Sequence, residues 1–235
     1  MAWEIFERAA SSYEAWYATP RGRRADQAER ELLARLLTDF PTARRVLEVG
    51  CGTGHFTAWL AAQGLQVLGL ERAPAMLAHL HQRLPRLPVI CADAHHLPVH
   101  TGAVDLVLFV TTLEFLDNPV AAVTEAVRVA RQGLILLVLN RWSVGGLSRR
   151  WGPQARRPLL SQAHDYSLVS LRALVQEAAG QRLHAVRWAS TLLPDGLWRV
   201  QVSLPVGDVI GMTVKLNPPL ARPVVVPLRR KGVSW

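Results

Sequence analysis

Cysteine is nearly absent: Cys51 and Cys91 are the only two in 235 residues. Two thiols build neither a disulfide framework nor a four-cysteine zinc site, and they suit a reducing cytoplasm. Lysine is almost as scarce, with only Lys215 and Lys231 among 27 basic side chains. A GC-rich genome accounts for that as well as any function does. Long hydrophobic runs are missing too. Stretches such as 134–139 (LILLVL) fall far short of the roughly 20 residues that cross a bilayer. The opening MAWEIFERAASSYEAWY mixes acids with aromatics and lacks the basic start and apolar core of a signal peptide. These absences predict a cytoplasmic protein with no transmembrane segment. Acids are sparse in one half only. Residues 1–140 carry 13 basic and 14 acidic side chains, whereas 141–235 carry 14 and 4. The formal charge of +9 therefore belongs to the second half, which excludes a uniformly basic nucleic-acid binder.

Half of the chain is hydrophobic and 19% is charged, which suffices for a core and argues against disorder. Residues 1–40 read as a helical cap. Segment 25–37 (ADQAERELLARLL) is rich in helix formers, and 20–24 (PRGRR) reads as a break from an earlier helix at 3–17. From 41 to 140, short apolar runs alternate with helical segments: 46–49, 66–70, 88–91, 104–110 and 134–139. Near-continuous apolar character suits strands buried on both faces of a parallel sheet. The alternation predicts a doubly wound, mostly parallel α/β sheet with helices on both faces. Beyond Asn140, 141–165 reads as a basic loop or lid. A helix is expected at 167–179, with Ser167 as N-cap and Gly180 as stop. Strands are expected at 182–189 and 197–206, with 212–216 as a further candidate, giving an antiparallel C-terminal pair. One domain over 1–216 and a proline-rich basic tail at 217–235 complete the reading.

The informative segment is Val46-Leu-Glu-Val-Gly-Cys-Gly-Thr-Gly54, where a buried strand runs into three glycines and a helix follows. Glycines admit positive φ and let a ligand touch the backbone. The carboxyl end of the first strand is where open α/β sheets bind nucleotide-like ligands. Glu71 ends the second run, where a carboxylate can accept two hydrogen bonds from a ribose diol. Asp93 follows the third run, placed for an adenine amino group. The dinucleotide fingerprint G-x-G-x-x-G needs its third glycine one residue later, where His55 stands, so S-adenosylmethionine is preferred over a dinucleotide.

VLEVGCGTG, LGLERAPAM, CADAHHLP and VDLVLFVTTLEFLDNP, taken in order, resemble the motifs of class I S-adenosylmethionine-dependent methyltransferases, most closely the type 11 group. The resemblance covers about residues 40–140 and extends weakly to the tyrosine-bearing cap around Tyr13. It implies a Rossmann-like methyltransferase fold with S-adenosylmethionine as cofactor. It also implies roles for individual residues. Gly50, Gly52 and Gly54 would line the methionine part, with Glu48 supporting the loop. Glu71 would hold the ribose; Arg72 and Met76 would flank the adenine; Asp93 and Ala94 would meet its amino group. Val110 and Thr111 would lie under the sulfonium, and Tyr13, with Tyr17, would close the pocket.

No residue announces itself as a general base; Glu114, Asp117, His95, His96 and Tyr13 are the candidates at the rim. Cys51 reads as a buried filler rather than a nucleophile. His95 and His96 read first as solvated loop residues, Glu114 equally as a solvated acid, and no metal site is expected. Arginines 141, 149, 150, 156 and 157 lie in a segment without an acid. They read either as a solvated loop or as a site for an anionic acceptor. Three functions stay open: methyl transfer to a small or medium organic acceptor at O, N or C; methylation of RNA or another nucleic acid; or a cofactor-binding partner protein whose tail touches a membrane surface.

Overall fold

Short apolar runs flanked by glycine or proline become strands here because the helices between them cover both faces of the sheet. A computed structural model describes residues 3–151, 162–192 and 197–218. Its strands are β1 (Arg45–Val49), β2 (Gln66–Glu71), β3 (Val89–Cys91), β4 (Val104–Val110), β5 (Ala130–Leu139), β6 (Leu183–Thr191) and β7 (Val209–Leu216). They form one seven-stranded sheet in the order β3-β2-β1-β4-β5-β7-β6. The first five are parallel, and β7 runs antiparallel to both β5 and β6.

The helices are α1 (Trp3–Tyr17), α2 (Pro20–Leu37), α3 (His55–Ala62), α4 (Pro74–Arg83), α5 (Pro119–Val129), α6 (Val144–Trp151) and α7 (Leu168–Ala179). Strand side chains alternate between two cores. Leu47, Val107, Phe109 and Leu136 meet Val123 and Ala126 of α5 and Leu171 and Val175 of α7 on one face. Val46, Leu106, Leu108 and Ile135 meet Leu32, Leu33 and Leu36 of α2 and Phe56 and Leu60 of α3 on the other. Strand order reverses at β1, which has β2 on one side and β4 on the other. The crevice at the carboxyl ends of those strands is the ligand position in such sheets.

Three sequence expectations are corrected. Segment 20–24 does not break the helix; it is the first turn of α2. Thr19 Oγ1 accepts from Gly22 N at 2.9 Å, and Pro20 occupies an initial position where its missing N–H costs nothing. The break is only Ala18 and Thr19. Segment 141–165 is not all loop, since α6 starts at Val144. Ser143 Oγ accepts from Gly146 N at 2.9 Å, and Asp208 accepts from Gly145 N at 2.8 Å. Segment 197–206 is not a strand. Only Val202 bridges, to Ser190, while Leu204, Pro205 and Val206 are exposed. Proline cannot donate to a ladder, and β7 takes the place between β5 and β6. Arg156, Arg157 and the tail from 219 onward lie outside the described residues. Among the described residues, no helix is long and apolar enough to cross a membrane.

Candidate functional site

The loop after β1 is held by the end of β2. Gly50 N and Cys51 N both donate to Leu70 O, at 2.7 and 3.0 Å. Glu71 fastens the next turn: its Oε2 accepts from Gly52 N at 3.0 Å, and its Oε1 accepts from Arg72 N and Ala73 N at 2.7 and 2.8 Å. Burial raises the Glu71 carboxyl above its ordinary range, and the three N–H bonds oppose that rise. Two glycines show why the sequence needs them. A Cβ on Gly52 (φ +53°) would meet no protein atom within 4 Å, whereas one on Gly54 (φ +80°) would lie 2.8 Å from the Leu80 side chain. Gly52 borders open space, and Gly54 serves packing between loop and α4.

A cleft of about 750 Å³, counting its open mouth, lies at these strand ends. Ten of the residues that the resemblance assigns to the cofactor line it: Tyr13, Gly50, Gly52, Glu71, Arg72, Met76, Asp93, Ala94, Val110 and Thr111. Gly54 and Glu48 do not. Glu48 is buried beneath the loop, where its Oε2 accepts from Thr57 Oγ1 at 2.6 Å and burial pushes its carboxyl up to about 8. Asp93 accepts from Arg72 Nη1 at 2.7 Å and from His95 N and Nδ1 at 3.0 and 2.6 Å. Although partial burial works to raise it, those bonds and charges hold its carboxyl below the usual range. Sequence reasoning missed Trp3, Phe6 and Phe115, which also line the cleft. Arg72 lies over the Trp3 ring, 5.5 Å from its centroid. The indole N–H of Trp3 is buried with no hydrogen-bond partner among the described residues.

The candidates at the rim separate. His95 and Asp117 line the cleft; His96 is exposed and does not. His95 is not a solvated loop residue, because Asp93 holds its ring and its Nε2 accepts from Asn118 N at 3.3 Å. Glu114 is buried rather than solvated: its Oε1 accepts from Leu139 N at 2.6 Å, which pins the 3-10 turn Leu113–Phe115 to β5. Thr111 has φ +50°, an outlier for a β-branched residue, at the carboxyl end of β4. Cys51 is buried, and burial drives its thiol up, as suits a filler.

α1 lies across this cleft. Glu7 Oε2 accepts from Ala75 N at 3.0 Å at the start of α4. Glu14 pairs with Arg83 at 2.5 Å and accepts from Thr53 Oγ1. Tyr17 stacks on His55 with ring centroids 3.7 Å apart. Beneath α1 is a second, larger cavity of about 1710 Å³, again counting its mouth. Phe6, Tyr13, Thr111 and Phe115 line both cavities; Ile5, Arg8, Trp16, Tyr17, Glu29 and Leu139 line the second alone. Glu29 was not anticipated. It reads in the sequence as one more acid on an amphipathic helix, and only packing of α1 over α2 encloses it.

Residues 47–138 match the family model described as "Methyltransferase domain". Residues 47–138 thus form a methyltransferase domain of the S-adenosylmethionine-dependent type. Among relatives of this methyltransferase, an uncharacterized methyltransferase of Mycobacterium tuberculosis is 37% identical over 91 residues, covering 39% of this chain and 37% of the relative. A malonyl-[acyl-carrier protein] O-methyltransferase of Yersinia pestis is 31% identical over 150 residues, covering 62% of this chain and 53% of that protein. The methyltransferase thus matches only between about a third and a half of the length of these two relatives. A crystal structure of a SAM-dependent methyltransferase from Thermotoga maritima, titled a possible histamine N-methyltransferase, superposes with a TM-score of 0.74 at 25% identity. It covers 92% of this chain and 99% of that one. The fold is that of structural neighbours that use S-adenosylmethionine as cofactor.

Proposed function

We propose that the chain transfers a methyl group from S-adenosylmethionine to a small or medium-sized organic acceptor bound in the second cavity. The observation that carries this reading is the junction of two cavities at Phe6, Tyr13, Thr111 and Phe115. One offers polar anchors at strand ends; the other is larger, aromatic and built from α1 and α2.

The residues present fit the cofactor. Glu71 would accept from a ribose diol and Asp93 from an adenine amino group, with Arg72, Met76 and Ala94 beside the ring. The open space at Gly52 suits the methionine part, and the buried Trp3 N–H offers a donor that no atom of the described residues uses. When bound, the cofactor supplies an electrophilic methyl on a sulfonium. The chain's part is to align an acceptor with that methyl and to exclude water, and alignment is a large share of such a reaction. Thr111 would form the floor at the junction and Tyr13 its roof, with Val110 on the cofactor side.

The names of the relatives support a small acceptor without agreeing on its charge. Among the arginines of 141–157, Arg141 lies over the Trp142 ring, 5.5 Å from its centroid, and lines neither cavity. The reading is tested by thermal unfolding with S-adenosylhomocysteine and by mass spectrometry of extracts incubated with labelled cofactor. The ligand is expected to raise Tm, and Glu71→Ala to remove most of that rise. No rise at millimolar ligand overturns the proposal.

A further inference from the structure

We infer that Glu29 makes the second cavity a site for a cationic amine, so that the acceptor is an aromatic or apolar amine rather than an anion. The inference rests on the reading of that cavity as the acceptor site.

Glu29 projects from α2, is 7% exposed, lines the cavity and makes no hydrogen bond among the described residues. A buried carboxyl without partners costs stability, so packing alone gives no reason for it. Around it stand the rings of Phe6, Tyr13, Trp16, Tyr17 and Phe115, and aromatic faces attract cations. The acids nearby add to this preference. Asp26 and Glu114 act on Glu29 as like charges. Asp26 is itself paired with Arg30 at 2.6 Å and with His55 at 2.7 Å. The Tyr13 and Tyr17 rings meet edge to face, with centroids 6.0 Å apart. Arg8 lines the cavity from the exposed side of α1 and forms no ion pair with Glu29. An anionic ligand would face Glu29, with the buried Glu114 adding like charge; an ammonium would meet a carboxyl that has no hydrogen-bond partner among the described residues.

Burial and those neighbours push the Glu29 carboxyl up to about 8, so it is mostly protonated at pH 6 and half ionised at pH 8. An ammonium binds the ionised form. Its affinity therefore rises with pH in that window, by about 50-fold between pH 6 and pH 8, in proportion to the ionised fraction.

The test uses the full chain and calorimetric titration with three probes of similar shape: 2-phenylethylamine, 2-phenylethanol and phenylacetate. Each is titrated at pH 6, 7 and 8, with and without saturating S-adenosylhomocysteine. The amine is expected to bind most tightly and to be the only probe whose affinity rises steeply with pH. Glu29→Gln is expected to abolish that rise while S-adenosylhomocysteine affinity stays near wild type. The wild-type comparison decides the matter even if the variant folds poorly. Equal or tighter binding of the alcohol or the anion, or a flat pH profile for the amine, overturns the assignment. A chain that binds S-adenosylhomocysteine but shows no amine preference refutes the role of Glu29 alone. One that shows the preference without binding S-adenosylhomocysteine refutes the cofactor reading and leaves Glu29 standing.

Discussion

Replacing Gly52 by alanine separates folding from cofactor binding in the loop after β1. At φ +53° an alanine costs about 1–2 kcal/mol. A stiffer unfolded chain returns about 0.4–1 kcal/mol of that. Because the new Cβ meets no protein atom within 4 Å, no clash is added. The net loss is about 1 kcal/mol, or roughly 2–4 °C in Tm for a chain of this size. The cofactor is a different matter, since Gly52 lines the cleft and its bare Cα faces the ligand space. S-adenosylhomocysteine at 100 times its Kd stabilises wild type by about 2.7 kcal/mol, roughly 5–11 °C. If the Cβ weakens binding a hundredfold, the same ligand concentration gives only about 0.4 kcal/mol, roughly 1–2 °C. Gly54→Ala is the control. Its Cβ would lie 2.8 Å from Leu80, so it should lower Tm further yet keep most of the ligand shift. The assay is differential scanning fluorimetry of the three proteins with and without ligand. A full ligand shift in Gly52→Ala, or its loss in Gly54→Ala instead, would refute the placement of the cofactor on this loop.

Glu48 supplies a pH test. Its carboxyl is raised to about 8 from an unfolded value near 4.3, so the stability it contributes is complete at acid pH and is lost as pH climbs toward 8. Glu48→Gln keeps an acceptor for Thr57 and should flatten the decline between pH 6 and pH 8 by on the order of 2 kcal/mol in urea titrations; unchanged slopes would contradict it. Asn140, fully buried, donates through Nδ2 to Pro205 O and Gly207 O at 2.9 and 2.8 Å and accepts from Trp142 N at 3.0 Å. Asn140→Ala should therefore cost about 2–4 kcal/mol in chemical denaturation, through lost bonds and stranded backbone groups. Cys51 is buried and Cys91 exposed, so a thiol reagent should label Cys91 quickly and Cys51 only on unfolding. Equal labelling rates would rule this out.

The cofactor half was legible because its signals are local. The run VLEVGCGTG carries a strand, a turn and a helix start within a few residues, and Glu71 and Asp93 follow from the strand period. The second cavity was not legible, because it exists only where α1 lies over α2 and the end of β5. Nothing in ADQAERELLARLL distinguishes Glu29 from Glu31, which pairs with Arg199 at the surface. Glu114 was misjudged for the same reason: its partner Leu139 lies 25 residues away. Segment 197–206 alternates apolar and polar residues as a strand would. The ladder it needed went to β7, whose fit beside β5 depends on Gly133 and Gly211 leaving room for Phe40 and Leu32.

The strand that fills the gap between β5 and β6 is, among the described strands, the last in chain order. Until Val209–Leu216 has emerged, β5 has an open edge and β6 has no neighbour to pair with. A nascent or truncated chain ending before Val209 would already carry β3-β2-β1-β4-β5 and every residue of the cofactor cleft. Its apolar edge at Leu134–Leu139 would still invite pairing with another chain. Cover for that edge thus comes from a segment remote in sequence from the residues that line the strand-end cleft. Aggregation after C-terminal clipping should precede any loss of affinity for the cofactor.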